Sequence, residues 1–127
     1  MIKEFKTDKL QIKIHTDRAE MGEAAASEVI KKLNELLASQ EFVNVIFAAA
    51  PSQNEFLAAL TKSSLDWSRV RAFHMDEYIG LSAVAPQGFG NFLKAKIFEK
   101  LPFLVIHYLN GNAAKPEDEC KRYAALL

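Results

Sequence analysis

The chain has 127 residues, half of them apolar and a quarter charged, and its 16 basic and 16 acidic residues give a formal charge of zero. That length is one domain, residues 1–127, able to bury about two thirds of its unfolded surface, and the even charge gives no general attraction to nucleic acid or an anionic membrane. The single cysteine, Cys120, excludes an internal disulfide and any cysteine-built metal site.

The first residues, Met1-Ile2-Lys3-Glu4-Phe5-Lys6, alternate charge around no apolar core, so no signal peptide is expected. No apolar run approaches the roughly 20 residues of a bilayer span. A cytoplasmic protein without membrane or nucleic-acid partners is the expectation. Leu10-Gln11-Ile12-Lys13-Ile14-His15 alternates apolar and polar residues, which predicts a half-buried strand. Thr16 or Asp17 then caps a helix, with Glu20 in capping-box position after Asp17. Met21, Ala25, Val29, Leu33 and Leu36 recur at helical spacing and define its expected buried face. Val43 to Ala49 reads as a central strand, β-branched at its start. Pro51-Ser52 breaks that strand and opens a helix through Leu60, and Arg69 to His74 is a short apolar third strand.

A loop rich in Ala, Pro and Gly, Ser82 to Gly90, leads into a helix ending near Lys100. Pro102 introduces a fourth strand, Phe103 to Tyr108, and Asn110-Gly111-Asn112 has turn chemistry. Pro116 at a first helical position, followed by Glu117, Asp118 and Glu119, starts the last helix. Strand and helix alternate throughout, which predicts an α/β fold: a Rossmann-like three-layer sandwich with a mostly parallel sheet. The last helix ends on Leu126-Leu127 with no following strand to complete a βαβ unit, so a longer parent chain or a homo-oligomer is expected.

The residues that can carry chemistry cluster at strand ends. Asp76 and Glu77 follow the third strand, where ligands bind in α/β proteins. A carboxylate partly desolvated there has a raised pKa and moves protons near neutral pH. The alternative is a cap, because acids after a strand often satisfy backbone donors. On extended backbone the two acids point in opposite directions, so one of them reaches a given pocket. The turn Ala48 to Glu55 is the second candidate. Its small residues admit a ligand close to the backbone, through Ser52 or the amide of Ala50, yet Ser52 and Glu55 have capping-box spacing and no glycine permits a phosphate cradle. His15, His74 and His107 have no partners at metal-ligand spacing and read as structural, so no metal site is expected. Cys120 reads as a packing residue, and Gly88-Phe89-Gly90 as a flexible loop able to cover a pocket.

The segment Phe73-His74-Met75-Asp76-Glu77-Tyr78-Ile79-Gly80-Leu81 resembles the MDEY-x-GL segment of glucosamine-6-phosphate deaminases. Leu109-Asn110-Gly111-Asn112-Ala113, with Glu119-Cys120-Lys121-Arg122-Tyr123 after it, is similar to the LNGNA and EC-x-x-Y segment of the same family. Pro86 to Phe92 falls where that family has a P-x-S-[YF]-x-x-F loop. The resemblance covers nearly the whole chain. The related 6-phosphogluconolactonases typically carry a DER-type motif here, and Tyr78 favours the deaminase branch.

The resemblance implies action on an amino-sugar phosphate: the ring opens, a proton moves between C2 and C1, and ammonia leaves. Asp76 is then the general base, Glu77 a structural residue, and Ala50 and Ser52 the substrate-binding residues; neither metal nor cofactor is required. Two departures stand out. Ala49-Ala50-Pro51-Ser52 replaces a TGGT-like glycine turn, with Pro51 lacking an amide donor, and Gly88 replaces a serine. The family's glycine-rich loop with Asp, His and Glu falls beyond Leu127. The alternatives are a non-catalytic sugar-phosphate-binding domain and, more weakly, a lactonase.

Overall fold

The computed structural model describes all residues, Met1–Leu127. Strands β1 (Lys3–Thr7) and β2 (Leu10–Ile14) form an antiparallel hairpin; β3 (Val43–Phe47), β4 (Val70–His74) and β5 (Val105–Ile106) form a parallel sheet in that order. The helices are α1 (Arg18–Leu37), α2 (Asn54–Thr61), α3 (Phe89–Leu93) and α4 (Pro116–Leu126). A π-helical turn, Lys94–Phe98, continues α3, and 3-10 turns precede α2 and β4. No helix is long and apolar enough to cross a membrane.

The α/β class and the parallel sheet agree with the sequence reading; the strand expected at Leu10 forms, but it is not half-buried. Leu10–Ile14 is almost wholly exposed and pairs with Lys3–Thr7 instead of joining the parallel sheet. Four of the five residues of the partner strand, Lys3, Glu4, Lys6 and Thr7, are polar and all five are exposed, and Asp8 takes the left-handed turn position (φ 53°) that aspartate tolerates. The fourth strand keeps only Val105 and Ile106 of the expected six residues.

The α1 cap forms as its sequence predicts. The Asp17 carboxylate accepts the N–H of Glu20 at 2.9 Å, and the Glu20 carboxylate accepts that of Thr16 at 2.7 Å. The buried face is different: Gly22, Ala26, Leu33 and Leu37 are buried, whereas Met21 and Ala25 are exposed. Only Leu33 of the expected stripe is fully buried; Val29 and Leu36 flank it. Gly22 explains the rotation. A Cβ there would come within 2.7 Å of Glu55 Cβ, so the glycine lets α1 cross the start of α2 in close contact.

The core lies between these helices and one face of the sheet. Val43, Phe47, Val70 and Ala72 pack against Leu33, Leu37, Leu57, Leu60, Leu93, Ile97 and Phe98. On the other face Phe73 meets Tyr123 of α4 edge-on at 5.5 Å, and Arg71 donates to the Leu126 carbonyl at 2.7 Å. Helices therefore cover both faces of β4. The consequence for function is that the C-terminal ends of β3 and β4, paired through Phe47 and His74, open side by side.

Candidate active site

Beyond His74 the chain bends at Met75, whose N–H donates to the Phe47 carbonyl at 3.1 Å. The two acids that follow have different fates. Glu77 turns toward the start of α3, where its carboxylate accepts the N–H groups of Phe89 (2.9 Å), Gly90 (3.0 Å) and Tyr78 (3.0 Å). Partial burial pushes the Glu77 carboxyl up, but these three backbone donors outweigh it and hold the group below the usual carboxylate range. Glu77 is thus an anionic cap on α3, reached from another element. Gly88-Phe89-Gly90, expected as a flexible cover, is instead the cap position and first turn of that helix. The Phe89 ring stacks on Tyr78 with centroids 4.6 Å apart.

Asp76 has no such partners. Its carboxylate makes no hydrogen bond or ion pair within the chain, and it lines a cavity of about 400 Å³ with Met75, Glu77, Ile79, Leu109, Cys120 and Leu127. The desolvation expected of the functional acid is absent: Asp76 is exposed, because the cavity opens past Met75 and Ile79, themselves 63% and 75% exposed. Cys120, expected in packing, is exposed on the same cavity wall. A second cavity of about 350 Å³ lies across the loop, lined by Tyr78, Ser82, Asn91, Lys94 and Tyr108, and does not include Asp76.

The backbone around Asp76 is held by His74, read from the sequence as structural, and by the 109–112 and 119–123 segments, whose roles toward Asp76 the sequence alone did not give. His74 is 1% exposed. Its Nε2 accepts the Leu109 N–H at 2.9 Å, so the ring proton sits on Nδ1, which donates to the Asp76 carbonyl at 2.9 Å. Burial depresses the His74 pKa, against the opposing pull of the Asp76 carbonyl and the Glu77 and Asp76 charges. The His74 N–H donates to the Tyr123 hydroxyl at 2.8 Å, which donates in turn to the His107 carbonyl at 2.8 Å. The 109–112 turn clasps the segment from its far side. Gly80 N–H donates to the Gly111 carbonyl at 2.9 Å, and the Asn112 side chain donates to the Leu81 carbonyl at 2.7 Å. A Cβ at Gly111 would meet the Tyr78 carbonyl oxygen at 2.0 Å, so only glycine fits there. Glu119 anchors the same turn, accepting the Asn110 N–H at 2.6 Å while paired with Arg122.

The second candidate loop leaves β3 at the same sheet edge as Asp76. Ala50 precedes a 3-10 turn, Pro51–Gln53, and Ser52 is exposed with its hydroxyl free. The expected Ser52–Glu55 capping box does not form. Arg18 of α1 takes Glu55 in a two-pronged ion pair at 2.9 and 2.7 Å and also bonds the Pro51 carbonyl. A guanidinium fork matches a carboxylate better than one backbone N–H does. Neither Ala50 nor Ser52 lines the Asp76 cavity.

No protein-family model matches the chain. Among characterised proteins it is 31% identical over 118 residues to a glucosamine-6-phosphate deaminase of Bacillus cereus and, at the same identity, to one of Bacillus anthracis. Each match covers 93% of this chain but 42% of the relative, so the chain spans less than half the length of those proteins. Two solved structures share its fold. One is a monomeric glucosamine-6-phosphate deaminase described as a missing link of the NagB superfamily (TM-score 0.77, 21% identity, 88% of this chain and 47% of that one). The other is a 6-phosphogluconolactonase of Shewanella baltica (TM-score 0.78, 16% identity, 89% and 48%). In sequence over nearly its whole length, and in fold alike, the chain is similar to a portion of glucosamine-6-phosphate deaminases, consistent with the N-terminal portion its motifs imply.

Proposed function

We propose that the chain contributes the proton-transfer carboxylate of a deaminase-type reaction on an amino-sugar 6-phosphate, with glucosamine 6-phosphate as substrate. The supporting observation is the division between adjacent acids: Glu77 is engaged by three backbone donors, whereas the Asp76 carboxylate is free at a strand-end cavity. In the reaction the sugar ring opens to an aldehyde. Asp76 removes the C2 proton as electrons pass to the C1 carbonyl oxygen, which takes a proton from water, giving an enolamine. Return of the proton to C1 gives an imine at C2, and water releases ammonia from it to leave fructose 6-phosphate. A carboxylate base positioned on a carbon acid contributes about 10²–10⁴-fold to such a step.

The Ser52 hydroxyl and the Ala50 amide, at the neighbouring strand end, are the groups we assign to the phosphate. Ser52→Ala is then expected to raise KM about tenfold, the equivalent of one hydrogen bond of about 1.4 kcal/mol. A second reading, a sugar-phosphate-binding domain without turnover, draws on one observation. Apart from Asp76, the cavity contains no free carboxylate or imidazole to open the ring, because Glu77 and Glu119 are both engaged. Ammonia release from glucosamine 6-phosphate distinguishes the readings. Release supports the deaminase; binding without release supports the second, and hydrolysis of 6-phosphogluconolactone alone would redirect the assignment to a lactonase.

A further inference from the structure

We propose that His74 is the positioning residue for Asp76: its Nδ1–H fixes the Asp76 carbonyl, while its Nε2 fixes the turn that closes over the same segment. The inference rests on the assignment of Asp76 as the proton-transfer group. The imidazole is buried at the end of β4, and both ring nitrogens are used, one on the Asp76 carbonyl and one on the Leu109 N–H. A ring that accepts from Leu109 at Nε2 has a fixed tautomer, and that tautomer leaves Nδ1–H as the donor toward Asp76. The carbonyl it holds belongs to the Asp76–Glu77 peptide plane. Fixing that plane sets the backbone from which both side chains leave: Glu77 is bound by the N–H groups of Phe89 and Gly90, and Asp76 is left unpaired at the cavity that both residues line. The Tyr123 hydroxyl on the His74 N–H ties the same residue to α4, which forms the cavity's opposite wall. His74 therefore touches no cavity-facing atom of Asp76 yet sets the backbone from which its carboxylate projects. A base displaced by about 1 Å loses on the order of 10²-fold in rate.

Two substitutions separate the two nitrogens. His74→Asn places an amide donor near the Nδ1 position and has no acceptor near Nε2; His74→Gln reaches the Nε2 position with an acceptor and leaves the Asp76 carbonyl without a donor. The test is NMR of the 127-residue chain: the ¹⁵N shifts of the His74 ring, the ¹³C shift of the Asp76 carbonyl and the amide shift of Leu109. The expected wild-type ring is protonated at Nδ1. His74→Asn is expected to keep the Asp76 carbonyl shift and move the Leu109 amide, and His74→Gln to do the reverse. A ring protonated at Nε2 in the wild type, a measurement that needs no variant to fold, would overturn the proposal. So would an Asp76 carbonyl shift that His74→Gln leaves in place. Failure of the functional assignment is recognised separately, as undiminished turnover in Asp76→Asn, and does not alter these shifts.

Discussion

Within four residues of the β4 end, three side chains with ionisable heads do three different things: His74 holds backbone, Glu77 caps a helix, and Asp76 faces a cavity. Their titration carries a prediction. Burial holds the folded pKa of His74 below its ordinary value, against the pull of Asp76 and Glu77, with Tyr108 and Tyr123 as neutral aromatic neighbours. The unfolded chain therefore binds the proton first. His74's contribution is intact above about pH 6.5 and declines as pH falls below that value. Glu77, with its folded pKa lowered, contributes above about pH 4.5 and loses that contribution at lower pH. Urea midpoints measured between pH 7 and pH 5 should fall in the wild type and fall less in His74→Asn. A second residue-scale prediction concerns two glycines. Gly111→Ala places a Cβ against the Tyr78 carbonyl and should cost about 3 kcal/mol, the upper end for overpacking. Gly80→Ala, at φ +82° with open space around it, should cost about 1 kcal/mol of backbone strain. Denaturant unfolding of the two variants checks the order. The expectation that two adjacent acids on extended backbone would not share a pocket does not hold: the chain bends at Met75 just past β4 and both Asp76 and Glu77 line the cavity, although only Glu77 is bound by backbone donors. The role of His74 was not legible either: its partners Leu109 and Tyr123 lie 35 and 49 residues away in the chain.

At the scale of elements, local chemistry was a good guide where partners are local, as in the Asp17–Glu20 cap and the Pro116 start of α4. It failed where a distant group intervened. Ser52 and Glu55 have capping-box spacing, but Arg18, 37 residues from Glu55, captures the carboxylate. The α1 stripe was misread by one position because a glycine adds no hydrophobic signal, although Gly22 is where the two helices approach. Gly22→Ala improves helix propensity by about 1 kcal/mol, yet the clash with Glu55 should make it net destabilising by about 1–2 kcal/mol. Thermal melting of that variant above the wild-type midpoint would contradict the packing account.

For the molecule as a whole, the parallel β3-β4-β5 sheet brings two loops to one edge; the similarity to deaminases of more than twice its length is one of sequence and fold, and that to a lactonase of about twice its length is one of fold. The fold class was legible because each strand run is bounded by turn residues and followed by a helical period. Of the hairpin β1-β2 only β2 was legible, from its alternation; β1, Lys3 to Thr7, is exposed and polar except for Phe5 and carries no strand period. The site at the shared edge rests on Asp76. Proton exchange at C2 of glucosamine 6-phosphate in deuterated water, followed by ¹H NMR, reads its assigned step without waiting for ammonia. The account predicts exchange in the wild type and a rate at least about a hundredfold lower in Asp76→Asn. Equal exchange rates in the two proteins would contradict it.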